Sequence, residues 1–299
     1  RVAARAAAKL AEGPRPFLAL ALGLAAQGAS VPTVLAHDLA RGLMLLEDLG
    51  SVPCVAGAPP LPIAERYHVA VEWLADLHGR ALPAVLPDGE GGAYALPAYD
   101  MDNFEAEVAV FLDWGFPKYL GRAATAEERA RFLDAWRPLF AEILAGPTTW
   151  CLRDFHSPNL LWLDTRTGLG RLGVLDFQDT ILGHPAYDVA SLAQDARVDV
   201  APELERALIE AYVAARRRQD AGFDAAAFRR AWDILAAQRT TRILGVFARL
   251  DLRDGKPGYL RHVPRLWDYL ERVLDEAVLR AVKLWYDETL PGDRRRFSA

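Results

Sequence analysis

Cysteine is nearly missing from this chain: Cys54 and Cys151 are the two among 299 residues. With no C-x-x-C pair they cannot build a disulfide framework, and the pattern reads as a chain from a reducing, cytoplasmic compartment. Cys151, inside the apolar run Trp150-Cys151-Leu152, is expected to be a buried thiol. Lysine is almost as scarce, present as Lys9, Lys118, Lys256 and Lys283 alone. Positive charge is not in excess either. The net charge of −5 leaves no bulk electrostatic footprint for nucleic acid. There is no H-E-x-x-H or other metal-ligand spacing around His68, His78 or His262, and no G-x-S-x-G nucleophile turn.

Long apolar runs are also absent. The first thirty residues have the outline of a secretory signal: a basic start, then P-F-L-A-L-A-L-G-L-A-A, then small residues. Glu12, Pro14 and Arg15 interrupt its entry, and an apolar run of about 11 residues is too short to cross a bilayer. A buried Ala/Leu helix is expected there, with no membrane partner.

With 52% hydrophobic and 25% charged residues the chain can bury a sizeable core. The expected order is a helix over 15–28, two short strands over 31–36 and 42–48, and a proline-rich linker over 51–62. An amphipathic helix over 63–80 follows, with Val69, Trp73, Leu74 and Leu77 on one face. A Gly/Pro-rich loop fills 81–100, and helices cover 101–121 and 125–145. A strand-turn-strand segment lies at 150–177. Helices near 185–196, 202–219, 225–250 and 261–287 complete the chain. Residues 1–50 are thus set apart from 51–299.

Residues 150–179 carry the chemistry: W-C-L-R-D-F-H-S-P-N-L-L-W-L, a short turn, then R-L-G-V-L-D-F-Q-D. An Asp, an Asn five residues on, and a second Asp closing an apolar strand form the set that phosphoryl transfer from Mg-ATP requires. Asp154, on a loop between short strands, suits a base for a substrate hydroxyl. Asn159 and Asp176 offer oxygens to magnesium. G-L-G-R-L-G at 168–173 matches a dinucleotide fingerprint by letter only. It runs straight into a strand instead of opening a helix, so it reads as turn glycine.

L-R-D-x4-N followed by L-D-F resembles the catalytic and metal-binding loops of the protein-kinase-like superfamily, and G-H-P-A-Y-D-V-A-S-L (183–192) is similar to the segment after the metal loop in aminoglycoside phosphotransferases and choline kinases. Within that group, the two stretches together most resemble bacterial anomeric kinases of N-acetylmuramate and N-acetylglucosamine in cell-wall recycling. The resemblance implies an α+β, protein-kinase-like two-lobe fold, with an incomplete small N-terminal lobe and hinge over 1–50 and a mostly helical C-terminal lobe over 51–299. It implies ATP and Mg²⁺ as cofactors and a small sugar as substrate. Asp154 would be the catalytic base, with Asn159 and Asp176 as metal ligands. Arg153 and Asp188 would support the catalytic loop, and Leu46, Glu47, Asp48 and Leu49 would form the adenine hinge.

His156, Gln178 and Asp179 are candidate substrate contacts. So are Arg239 and Arg242, one helical turn apart and able to fork onto a carboxylate such as a lactyl group. Two departures stand out. Leu152 occupies the place where many relatives carry histidine, and His156 is the candidate to compensate. No Gly-rich phosphate loop or phosphate-pairing lysine precedes the hinge, and Lys9 lies in an alanine-rich run that reads as surface. The natural protein is therefore expected to carry more residues before or within this segment, or to handle phosphate without that lysine. Phosphorylation of an aminoglycoside or choline-like amine is the alternative activity. It is disfavoured by the lack of a dense acidic run in the C-terminal half. A nucleotide-binding pseudokinase is the alternative of another class.

Overall fold

The computed structural model describes residues 9–290 together with Gly292 and Arg295. The start of the alanine-rich run, residues 1–8, lies outside the described residues. The described residues divide into two compact units, one of 9–98 with 148–225, the other of 99–147 with 226–290.

The helices, in chain order, are α1 (Arg15–Ala26), α2 (Ala64–His78), α3 (Met101–Val110), α4 (Ala126–Leu144), α5 (Ala186–Ala193), α6 (Pro202–Gln219), α7 (Ala225–Asp254), α8 (Val263–Leu274) and α9 (Arg280–Thr289). Among the described residues the strands form five separate antiparallel pairs. β1 (Val34–Asp38) pairs with β2 (Leu43–Leu46), β3 (Val55–Ala56) with β4 (Leu61–Pro62), and β5 (Val85–Pro87) with β6 (Ala93–Ala95). β7 (Thr149–Cys151) pairs with β10 (Ile181–Gly183), and β8 (Leu160–Trp162) with β9 (Leu172–Val174). Among the described residues no helix is long and apolar enough to cross a membrane.

The unit of 9–98 and 148–225 contains all five strand pairs. Its core comes from the buried faces of α1 (Leu18, Leu20, Leu24), α2 (Tyr67, Val71, Leu74) and α6 (Leu208, Tyr212), together with α5, which is buried throughout. The expected 150–177 hairpin is split. Its first strand, β7, leaves to pair with β10, while β8 and β9 form the hairpin. Ser30 and Pro53 bridge to that hairpin, at Gly173 and Leu161. Each short strand thereby has neighbours for its backbone groups, as buried N–H and C=O groups require. The linker at 51–62 and the loop at 81–100 carry the small ladders β3–β4 and β5–β6. Proline-rich sequence hides such pairs, since proline donates nothing to a ladder.

The other unit is helical, with an aromatic core of Phe111, Phe132, Trp136, Phe140, Trp267 and Trp285. Capping boxes start α3, at Asp100 with Asn103, and α4, at Thr125 with Glu128. The helix expected over 101–121 changes at Phe111 into a π-helical stretch to Leu120 that contains Pro117, whose missing N–H and ring oppose an α ladder. The helix expected over 261–287 is divided into α8 and α9 by a short 3-10 turn. Trp150, Trp162, Trp232, Trp267 and Trp285 are all buried.

Candidate active site

The loop after β7 is a chain of tight turns. The Asp154 N–H reaches back to Leu152 O (2.8 Å), closing a three-residue γ-turn about Arg153, whose φ is +67°. That turn is the rare, strained kind for an L-residue, and surrounding bonds must hold it. They do so from both sides. Asp188, at the first turn of α5 and fully buried, accepts the N–H of Leu152 at 2.7 Å and of Arg153 at 2.9 Å. Ser191, one turn on, donates its hydroxyl to Arg153 O at 3.2 Å. Cys151 Sγ–H points at the same carboxylate from 3.6 Å, and burial, then the Asp188 charge, push its thiol pKa well up. Cys151 is therefore an unreactive buried thiol.

Asp154 leaves this turn with its side chain 35% exposed, open to a ligand. His156 Nε2 lies 3.7 Å from its Oδ1. Asn159 closes the loop. Its N–H bonds His156 O (2.9 Å), and its Nδ2 donates to Asp154 O (2.9 Å) and to Asp176 Oδ2 (3.3 Å). Asp176, past the end of β9, has φ +56°, a second strained L-residue in one small region. Gln178 Nε2 donates to its Oδ1 at 2.6 Å. Both nitrogen contacts of Asn159 leave its Oδ1 free of hydrogen bonds among the described residues. That oxygen and the Asp176 carboxylate are hard donors of the kind magnesium takes, without the nitrogen or sulfur ligands that would favour zinc. The residues present therefore fit Mg²⁺.

Asp179 is half-buried. Its carboxyl is raised in pKa by desolvation, with Asp154 and Asp176 adding to the rise. The Ala11 N–H (2.6 Å) and the Arg153 charge oppose it. The candidate hinge is tied into the β1–β2 ribbon. Glu47 N–H donates to Thr33 O, and its carboxylate accepts the Thr33 N–H (3.1 Å) and hydroxyl (2.6 Å). Those bonds, the hydroxyl first, lower its pKa. Asp48 Oδ1 caps Gly50 N–H at 2.8 Å. Leu46 ends β2, and Leu49 lies on the exit from the ribbon.

Arg239 and Arg242 lie on α7 in the other unit. Arg239 is buried, and Arg242 Nε is 3.8 Å from the buried Glu107. Three contributors escaped sequence reasoning. His78, at the end of α2, brings Nε2 to 3.6 Å from Asp188 and Nδ1 to 3.0 Å from Tyr212 OH. Asp195 accepts the Ser157 N–H (2.8 Å) and hydroxyl (2.5 Å) on one oxygen and the Arg197 N–H (2.8 Å) on the other. Arg197 Nη1 then lies 3.2 and 3.4 Å from the two ring nitrogens of His156. The sequence signal for Asp195 and Arg197 is the polar Q-D-A-R right after an apolar helix.

Solved structures with this fold include an aminoglycoside 2'-phosphotransferase in its GDP complex (TM-score 0.55, 15% identity, 86% of this chain and 81% of that one). An ethanolamine kinase from Plasmodium vivax is another (TM-score 0.56, 11% identity, 91% and 76%). The fold is thus the α+β, kinase-like fold of small-molecule phosphotransferases. The chain belongs to the phosphotransferase enzyme family, whose pattern it matches over residues 1–229. It is 40% identical to an N-acetylmuramate/N-acetylglucosamine kinase of Caulobacter vibrioides over 97% of this chain and 79% of that protein. It is 33% identical to one of Pseudomonas aeruginosa over 87% and 73%.

Proposed function

We propose that this phosphotransferase is a cytoplasmic, ATP-dependent kinase of amino sugars that phosphorylates the anomeric C1 hydroxyl of N-acetylmuramate and N-acetylglucosamine. The observation that carries the reading is the Asp154–Asn159–Asp176 constellation, bonded through one amide, in a chain 40% identical to a kinase named for those two sugars.

When bound, Mg-ATP supplies the phosphoryl group. Asp154 orients the C1 hydroxyl and takes its proton as the oxygen forms its bond to phosphorus and the bond to the ADP oxygen breaks. An anomeric hydroxyl is more acidic than an ordinary sugar hydroxyl, so one carboxylate suffices as base. Asn159 Oδ1 and Asp176 would hold the metal, fixed by the β8–β9 hairpin. Asp188 and Arg153 keep the loop in its strained turn, so the geometry is set before substrate arrives. Leu46–Leu49 supply backbone groups for adenine.

The test is ADP release by the purified chain with N-acetylmuramate, N-acetylglucosamine, kanamycin and choline, each offered in turn, and phosphorus NMR of the product. Turnover on the two sugars with phosphate on C1 is expected. Turnover on kanamycin or choline alone would move the enzyme to the amine-modifying branch.

A further inference from the structure

Arg197 has a setting that the catalytic scheme does not use. Asp195, fully buried, holds its backbone N–H at 2.8 Å and binds the catalytic loop through Ser157, which fixes where the arginine starts. Its side chain is half-buried, and the sole hydrogen-bonding contact of the guanidinium among the described residues is the His156 ring. Only Nη1 makes these contacts, and the Nε and Nη2 donors have no hydrogen-bond partner among the described residues. No carboxylate among the described residues pairs with it, whereas Arg242, one of the two arginines singled out by sequence, already has Glu107 beside it. A partly desolvated guanidinium without a counter-ion is a site for an anion.

Its closeness to the candidate base puts that anion on the substrate side of the reaction. Two steps, 3.2 Å from Arg197 Nη1 to His156 Nε2 and 3.7 Å from there to Asp154 Oδ1, separate it from the candidate base. The two legs set an upper limit on that separation, so an anion held by Arg197 lies within about one sugar ring of a hydroxyl held by Asp154. N-acetylmuramate differs from N-acetylglucosamine by a lactyl ether on C3 that ends in a carboxylate. We infer that Arg197, seated on His156 and presented by Asp195, binds the lactyl carboxylate of N-acetylmuramate and so sets the preference between the acidic and the neutral sugar. This inference rests on the amino-sugar reading above.

The experiment compares wild type with Arg197→Met and Arg197→Lys, measuring kcat and KM for both sugars, and adds N-acetylmuramate whose lactyl carboxylate is converted to an amide. For wild type the amide should be poorer than the acid by about 10- to 100-fold in kcat/KM, the usual range for a charge-assisted hydrogen bond. Arg197→Met should lower the N-acetylmuramate to N-acetylglucosamine kcat/KM ratio by a similar factor, through KM, and should be indifferent to the amide substitution. Arg197→Lys should recover part of the ratio. Equal losses on both sugars would assign Arg197 to the phosphoryl group or to the loop and overturn the inference, as would an unchanged ratio. Wild type using the amide as well as the acid would overturn it even if neither variant folds. Wild type using neither sugar would instead sink the amino-sugar reading, and the inference with it.

Discussion

Asp188 holds the backbone N–H of Arg153 at 2.9 Å from a position closed to solvent, and the residue so held is the one with φ +67° just before Asp154. The strain and its restraint are therefore one device. A buried carboxylate that accepts two amide N–H groups fixes the turn that presents the candidate base.

Asp188→Asn should unfold more easily and turn over more slowly. The amide can accept with one atom only, so one buried N–H loses its partner, at a cost of about 3 kcal/mol. Urea denaturation and kcat should both fall, and a variant of wild-type stability would show that the two N–H contacts carry little weight.

Asp154→Ala should lower kcat by roughly 10²- to 10⁴-fold, the usual contribution of a positioned base. Nucleotide affinity should stay within a few-fold, because the Asn159 and Asp176 side chains remain. Single-turnover rates beside ADP titration by calorimetry separate the two effects.

Asn159→Ala should raise the magnesium concentration for half-maximal activity by at least about 10-fold, and Asp176→Ala should do more, since it removes a charge as well as ligands. A magnesium titration of turnover at saturating ATP reads this directly. Unchanged magnesium dependence in both would remove them from the metal site.

His184 gives a pH signature. It is buried, its Nδ1 accepts the Ala186 N–H at 3.2 Å, and burial, then the charge of His78, bring its pKa from 6.5 down to about 4. In the unfolded chain it takes a proton near pH 6.5, while the folded protein refuses one until about pH 4. Stability from this group is therefore complete above pH 6.5 and is lost as pH falls toward 4, by about 3 kcal/mol. His184→Asn keeps an acceptor but does not titrate. Its denaturation free energy between pH 7 and 4 should fall less steeply than wild type by that amount.

Gly245 tests the packing of the helical unit. A Cβ there would stand 2.5 Å from Phe111 N and from Val110 C, where α3 turns into its π-helical continuation. Gly245→Ala should cost about 3 kcal/mol, since backbone and not a flexible side chain must move. A thermal melt within a degree of wild type would show that α7 can shift freely.

The sequence by itself determined the local features. The expected helices at 63–80 and 202–219 are α2 and α6 to within two residues, because a 3.6-residue apolar period is written in consecutive side chains. Asp154, Asn159 and Asp176 were legible as a set because one loop and one hairpin hold them. The tertiary structure decided what depends on segments distant in the chain. It drew β7 away to β10, formed β5–β6 where proline and glycine masked a ladder, and set His78 against Asp188. It also placed Asp195 and Arg197 beside the catalytic loop. Such contacts are single hydrogen bonds or ring contacts closed across long loops. They impose no period on the sequence, and a buried His or Asp reads there like any other polar residue on a helix.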